Sequence, residues 1–192
     1  MLEGILVDLV PYSARFTALE HEWLNGEGLF FWAMGGRWLP TEAQVKAMQQ
    51  ERAEERAEND LRVFFGVQTK DGTPIGLFGI RSVHPHHRLG MLTAFIAESE
   101  YWGGGYGTDA LLLLVEYAFD WLDLRRVWLL TMALNARVMR QMEKVGFALE
   151  GRPREATWAD GQWVDGLTYG LLRDEWAGRP ALVEKLGLRP RA

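Results

Sequence analysis

Glu98-Ser99-Glu100-Tyr101-Trp102-Gly103-Gly104-Gly105-Tyr106-Gly107-Thr108-Asp109-Ala110 joins two different kinds of sequence. Before it, Gly90–Glu98 reads as a strand. After it, Thr108–Leu122 is a long apolar segment, and its length and lack of β-branching predict a buried helix. Four glycines in five positions lie at the junction. Glycine lets the backbone turn sharply and lets a ligand approach N–H groups. The first turn of a helix has unpaired N–H donors and the positive end of the helix dipole. The combination predicts an anion site suited to phosphates, built from backbone and needing no lysine.

Two other phosphate-binding patterns fit less well. Gly107-Thr108 lacks the lysine that a Walker A loop requires. Gly105, Gly107 and Ala110 formally satisfy the dinucleotide pattern. That pattern also needs an acid at the end of the next strand, where Ala133-Leu134-Asn135 stand instead. A plain glycine-rich turn into a helix is the bland alternative, and four glycines make it weak.

Working outward, the N-terminal side reads as an antiparallel meander. Leu2–Val10 is a first strand and Ser13–Leu24 a helix with Ser13 as its cap. An aromatic, glycine-containing loop carries Trp23, Phe30, Phe31, Trp32 and Trp38. It lines a substrate pocket or plugs the core. The charge-rich run from Gln49 to Asp60 belongs to a solvated helix over Thr41–Ala57. Leu61–Gln68 and Pro74–Val83 form a hairpin about Lys70-Asp71-Gly72-Thr73, and His84–Leu89 is a second turn. On the C-terminal side, Arg125–Leu134 is a strand and Asn135–Val145 a helix ended by Gly146. Phe147–Trp158 and Trp163–Leu172 form a last hairpin about Asp160-Gly161, and the tail from Asp174 is partly helical. The sum is an α/β (α+β) fold. Its sheet is mixed and mostly antiparallel, with one parallel β-α-β crossover over Gly90–Leu134.

The 192 residues are 48 % hydrophobic and 24 % charged, which fits one soluble globular domain over residues 1–192. No cysteine is present, so disulfides, thiolate nucleophiles and cysteine-bound metals are excluded. A net charge of −5 does not suit a nucleic-acid binder and slightly favours a cationic partner such as an amine. The longest apolar run, Ala110–Val115, is too short to span a bilayer. The N-terminal residues carry acids early and no basic region, so a cytoplasmic location is expected. His84, His86 and His87 lack the spacing of a metal site, and no metal is expected.

The junction resembles the acetyl-CoA signature of the GNAT superfamily of N-acetyltransferases, Arg/Gln-x-x-Gly-x-Gly/Ala. Trp102, Gly103, Gly104, Gly105, Tyr106 and Gly107 occupy its six positions, with Trp102 replacing the usual Arg or Gln. Asn135–Phe147 resembles a second block found in the branch of ribosomal-protein and spermidine acetyltransferases, which opens with Asn and closes with Glu-Lys-x-Gly-Phe. Glu150-Gly151 through Asp165 to Glu175-Trp176 resembles that branch's closing hairpin. The resemblance covers about 61–176. The first 60 residues match loosely and are expected to line the acceptor side.

The resemblance implies a splayed strand pair, helices on both faces and acetyl-CoA as co-substrate. Backbone groups of Phe95, Ile96 and Ala97 would bond the pantetheine amides. Trp102–Thr108 would hold the pyrophosphate, and Asn135 would contact coenzyme A or cap its helix. Arg137, Arg140 and Lys144 would meet the ribose phosphate or, the favoured reading, are solvated helix-face charges. The implied reaction is direct attack of an amine on the thioester, the amine belonging to a protein N-terminus, a polyamine or another small molecule. The family's sulfur-protonating tyrosine is replaced by Met142, and a carboxylate early in the first splayed strand is missing. The catalytic residues are therefore unassigned, with His84, His86, His87 and Glu150 as candidate bases. The alternative is a non-catalytic coenzyme A-binding module. Relatives are commonly homodimers, but nothing in this sequence shows it.

Overall fold

In the computed structural model, which describes residues 1–55 and 61–191, the expected first strand is broken. It forms β1 (Leu2–Glu3) and β2 (Val7–Pro11), separated by a turn in which Gly4 N–H donates to Val7 O at 2.9 Å. The break has a tertiary cause: the Asp109 carboxylate accepts from Leu6 N–H at 2.6 Å and Val7 N–H at 3.2 Å. The expected helix Ser13–Leu24 is likewise two single turns, α1 (Ala14–Thr17) and α2 (Glu20–Trp23). Ser13 lies at the cap position of α1 without a side-chain cap bond. The interruption lets Phe16 and Trp23 both reach one core, with the buried Glu20 accepting from Tyr12 Oη at 2.5 Å.

The aromatic loop contains a short helix, α3 (Gly28–Trp32). Next comes α4 (Glu42–Glu55), opened by a reciprocal box. Thr41 N–H donates to Gln44 Oε1 at 2.8 Å, and Gln44 N–H to Thr41 Oγ1 at 3.3 Å. The last two residues of the expected helix, 56 and 57, lie outside the described residues. Strands β3 (Leu61–Thr69), β4 (Pro74–His84) and β5 (Leu89–Ile96) form the meander. The apolar segment is α5 (Tyr106–Glu116), which widens into a π-helical turn at Tyr117–Trp121. It leads to β6 (Arg126–Met132), and α6 (Ala136–Val145) follows, ended by Gly146.

The C-terminal hairpin is divided in a way the sequence reading missed. β7 (Ala148–Gly151) and β10 (Gly166–Leu172) pair in the main sheet, while β8 (Thr157–Ala159) and β9 (Gln162–Val164) make a separate two-stranded ribbon. Gly166 N–H turns to Pro153 O at 2.9 Å, closing the excursion at its base. Helix α7 (Arg179–Leu186) completes the chain.

The main sheet has the order β1-β2-β3-β4-β5-β6-β10-β7, and only β5 and β6 among the pairs described are parallel. The crossover through α5 and that through α6 both progress toward β7, so right-handedness places both helices on one face. Leu111, Leu112, Leu114, Met142, Val145 and Leu182 share one core there. Helices α1 to α3 cover the other face, where Phe16, Trp23, Leu77 and Phe95 cluster. Among the described residues, no helix is long and apolar enough to cross a membrane.

Phe16 shows how tightly the second face is fitted. A Cβ on Gly66 would fall inside its ring. Gly66→Val is therefore expected to expel Phe16 and destabilise the fold by about 1–3 kcal/mol or more, as overpacking does. Urea unfolding should show this as a lowered midpoint with an unchanged slope.

Candidate active site

The β5–β6 pairing stops early. Leu89 pairs with Arg126, Gly90 with Val127 and Met91 with Trp128, and no further pair follows. Beyond that apex β5 stays with β4 as far as Ile96, and β6 stays with β10 as far as Met132. The two strands therefore open into a wedge about five residues deep, ~17 Å at strand rise.

Strand alternation decides which amides face the wedge. Ala97 N–H donates to Ile75 O at 2.9 Å, so Ala97 turns toward β4. Phe95, two residues back, turns the same way. This corrects the expectation that Phe95, Ile96 and Ala97 all offer free backbone groups. Only Ile96 of the three, together with Ala94, faces the wedge. The Ile96 carbonyl already accepts from Trp102 Nε1 at 2.9 Å. Phe95 instead contributes its buried ring, 5.6 Å from Trp32 and 6.4 Å from Trp23. On the far side, Ala133 N–H donates to Asp165 O at 2.9 Å, so Leu130 and Met132 are the residues whose amides turn into the wedge.

The glycine turn closes the mouth. Gly103 and Gly105 have φ of 76° and 92°, a backbone region open to glycine at little cost. Gly105 is the N-cap of α5 and has no side chain to offer, and no side-chain cap bond is made. The first helical bond runs from Asp109 N–H to Gly105 O. The N–H groups of Tyr106, Gly107 and Thr108 thus lie at an uncapped helix start. Gly107 packs toward the wedge, since a Cβ there would lie 3.5 Å from Ile96 Cγ1 and 3.8 Å from Gln141 Nε2. Gly104 O accepts from Arg191 at 2.6 Å.

One cation beside this turn was misjudged from sequence. Arg137 is half-buried, not solvated: its guanidinium lies 3.9 Å from the Trp102 ring centre and 5.3 Å from that of Phe31. Burial pushes its pKa below the usual arginine value. The first turn of α6 thereby presents a positive group to the same mouth. Asn135 begins that helix, buried, with Oδ1 accepting from Val138 N–H at 3.3 Å. Its capping role is therefore filled.

The face opposite α5 carries the remaining candidates. Phe31 lies 6.1 Å from Trp102, Trp32 Nε1 approaches Thr93 Oγ1 at 3.4 Å, and Phe30 and Phe31 pack in the cluster of Met132, so α3 reaches both sides of the open wedge. This aromatic bridge was legible only as an aromatic loop. Glu98, just past β5, accepts from Trp23 Nε1 at 2.8 Å. Glu150 lies over Gly170 and is paired with Arg126 at 2.6 Å. His84 and His87 stack at 4.2 Å in the β4–β5 turn, at the closed end of the wedge. Met142 is buried in the α5-side core. Among the described residues, no cluster of three His, Cys, Asp or Glu is placed to hold a metal ion.

This geometry is shared with known proteins. Residues 8–148 match the model of the Acetyltransferase (GNAT) domain. "Putative ribosomal N-acetyltransferase YdaF" of Bacillus subtilis (strain 168) is 32 % identical over 56 % of this chain and 58 % of its own length. The chain thus spans little more than half of that relative. "Probable N-acetyltransferase YjcK" of the same organism is 34 % identical over 64 % of this chain and 68 % of its own. The crystal structure of spermidine N-acetyltransferase from Vibrio cholerae, in complex with CoA and spermine, superposes with a TM-score of 0.77. It covers 88 % of this chain and 97 % of that one at 18 % identity, a likeness of fold. With wedge, glycine turn and family match in agreement, the chain belongs to the GNAT acetyltransferase domain family.

Proposed function

We propose that the chain transfers an acetyl group from acetyl-CoA to a primary amine by direct attack in a ternary complex. The observation that carries this reading is the wedge beyond Met91 and Trp128, opening beneath an uncapped helix start. In this reading the N–H groups of Tyr106, Gly107 and Thr108, with the turn Trp102–Gly105, bind the pyrophosphate. Ile96 N–H and the backbone of Leu130 bond the pantetheine arm as an added strand would. Arg137, held on Trp102, adds a positive charge for the phosphates. Asn135 contributes through its amide nitrogen, its oxygen being engaged by the cap. Within the N-terminal region, α3 lines the acceptor side.

The thioester then lies toward the apex, and the acceptor enters from the α3 face because the core of α5 and α6 fills the other. The neutral amine nitrogen forms the new N–C bond as the C–S bond breaks. The amine gives up one proton before attack and one after, and the departing thiolate takes up one. A thiolate is a good leaving group, since a thiol has a pKa of about 8.5. No tyrosine is required at Met142. Acceptor deprotonation falls to water or to a carboxylate near the apex, for which Glu150, over Gly170 and paired with Arg126, is the candidate.

The buried Met142 also supports a second reading, a coenzyme A-binding module without turnover. Thiol release with acetyl-CoA and a panel of primary amines separates the two. The enzyme reading expects amine-dependent release, together with stabilisation of the protein by acetyl-CoA. Stabilisation without release for any amine favours the module. No stabilisation at millimolar acetyl-CoA removes both.

A further inference from the structure

The apex of the wedge carries two arginines on its open face, one of them paired with Glu150. Arg81 on β4 is opposite Met91 on β5, and Met91 is opposite Trp128 on β6. Met91 shares a face with Phe95, and Trp128 with Met132, both of which pack toward the α3 side. Arg81 and Arg126 therefore flank the half-buried Met91 and Trp128 on that side.

Each arginine keeps one buried nitrogen without a partner in the chain. Arg81 reaches Met91 Sδ at 3.9 Å, a weak acceptor, and its Nε is buried with no hydrogen-bond partner. Arg126 uses Nη2 for Glu150, while its buried Nη1 has no partner. Only four side-chain atoms share this condition among the described residues. The other two belong to Asp109 and Arg179, which face each other at 3.8 Å. A guanidinium cannot shed its proton to escape burial. An unpaired buried donor is costly, so each calls for a partner that the chain does not supply, water or a ligand. The fitting ligand is an anion, since carboxylate oxygens match a guanidinium in charge and geometry.

We propose that the acceptor amine also carries a carboxylate, held at the apex by Arg81 and Arg126, with Met91 and Trp128 supporting its apolar part. This rests on the acetyltransferase reading above. A polycationic acceptor is disfavoured by the Arg81 charge, that of Arg126 being already offset by Glu150.

The test uses the whole chain and matched amines that differ by the carboxylate: phenylalanine against phenethylamine, leucine against isoamylamine, with spermidine as the polycation. Thiol release from acetyl-CoA should favour a carboxylate-bearing member over its partner and over spermidine by at least tenfold in kcat/KM. Calorimetry on the coenzyme A complex should show the same order. Arg81→Met removes an unpaired donor without breaking an ion pair, so it should fold. In that variant, and in Arg126→Gln, the preference should fall to within threefold while stabilisation by acetyl-CoA persists. The proposal is overturned if spermidine or the decarboxylated amines are preferred, if no carboxylate-bearing amine binds or reacts, or if Arg81→Met keeps the full preference. Loss of the acetyl-CoA effect in the unaltered protein would instead refute the underlying function.

Discussion

Gly107→Glu is expected to abolish stabilisation by acetyl-CoA while leaving the free protein at least as stable as before. Gly107 is the second residue of α5, within its first turn. A glycine inside a helix costs about 0.8–1.0 kcal/mol relative to alanine, so most replacements improve the helix. A glutamate near the N-terminus also complements the helix dipole, by about 0.3–1 kcal/mol. The nearest atoms to a new Cβ, Ile96 Cγ1 at 3.5 Å and Gln141 Nε2 at 3.8 Å, leave ordinary contact distances. The carboxylate would project at the wedge mouth, where the proposed pyrophosphate lies, and repel it. At a ligand concentration of 100 Kd, binding contributes about 2.7 kcal/mol. For a chain of this size that is a melting shift of roughly 5–10 °C. Thermal unfolding with and without acetyl-CoA measures both parts. A variant that keeps the shift removes the anion site from the start of α5. Gly105 is a poorer probe of the same site, because its positive φ, and the 3.2 Å at which an added Cβ would meet Leu6 and Leu188, would confound binding with folding.

The elements legible in the sequence are those that local chemistry dictates. The glycine run, the Asn135 cap and the Gly146 stop each specify a backbone conformation within a few residues, and all three lie where expected. The two hairpins about Gly72 and His84–Leu89 follow from turn residues between β-rich runs. What was not legible depends on distant partners. The break at Gly4 is imposed by Asp109, more than a hundred positions away. The two turns of α1 and α2 are separated by the demands of one core on Phe16 and Trp23. The wedge itself was expected from resemblance alone, because no local feature says where β6 leaves β5 to follow β10. Misassignment of Phe95 and Ala97 has the same origin: alternation is clear in sequence, but its phase is fixed by the bond to Ile75. Net charge is silent on position in a similar way. A total of −5 suggests a cationic partner, yet the apex presents Arg81 and Arg126. Where a ligand docks, the local arrangement outweighs the sum.

Asp109→Ala is expected to be the most destabilising single change in the proposed cofactor-binding half. Asp109 is fully buried in the first turn of α5, at 0 % exposure. Its Oδ2 accepts from Leu6 and Val7 N–H, and its Oδ1 faces Arg179 at 3.8 Å without a hydrogen bond. One carboxylate thus ties α5, the start of β2 and α7 together. Removing it strands two buried amides and leaves the Arg179 charge uncompensated. Breaking a buried ion pair on one side costs about 3–5 kcal/mol, a large part of a typical stability of about 5–15 kcal/mol. The melting temperature should fall by roughly 6–20 °C. Asp109→Asn keeps an acceptor for Leu6 and Val7 but loses the charge facing Arg179, so it should fall between the two. Acetyl-CoA should still raise the melting temperature of Asp109→Ala, because the N–H groups of Tyr106, Gly107 and Thr108 do not depend on that side chain for their direction. A loss under about 1 kcal/mol, by denaturant unfolding, would mean that Arg179 and the two amides find other partners. The placement of α5 would then rest on its apolar face alone.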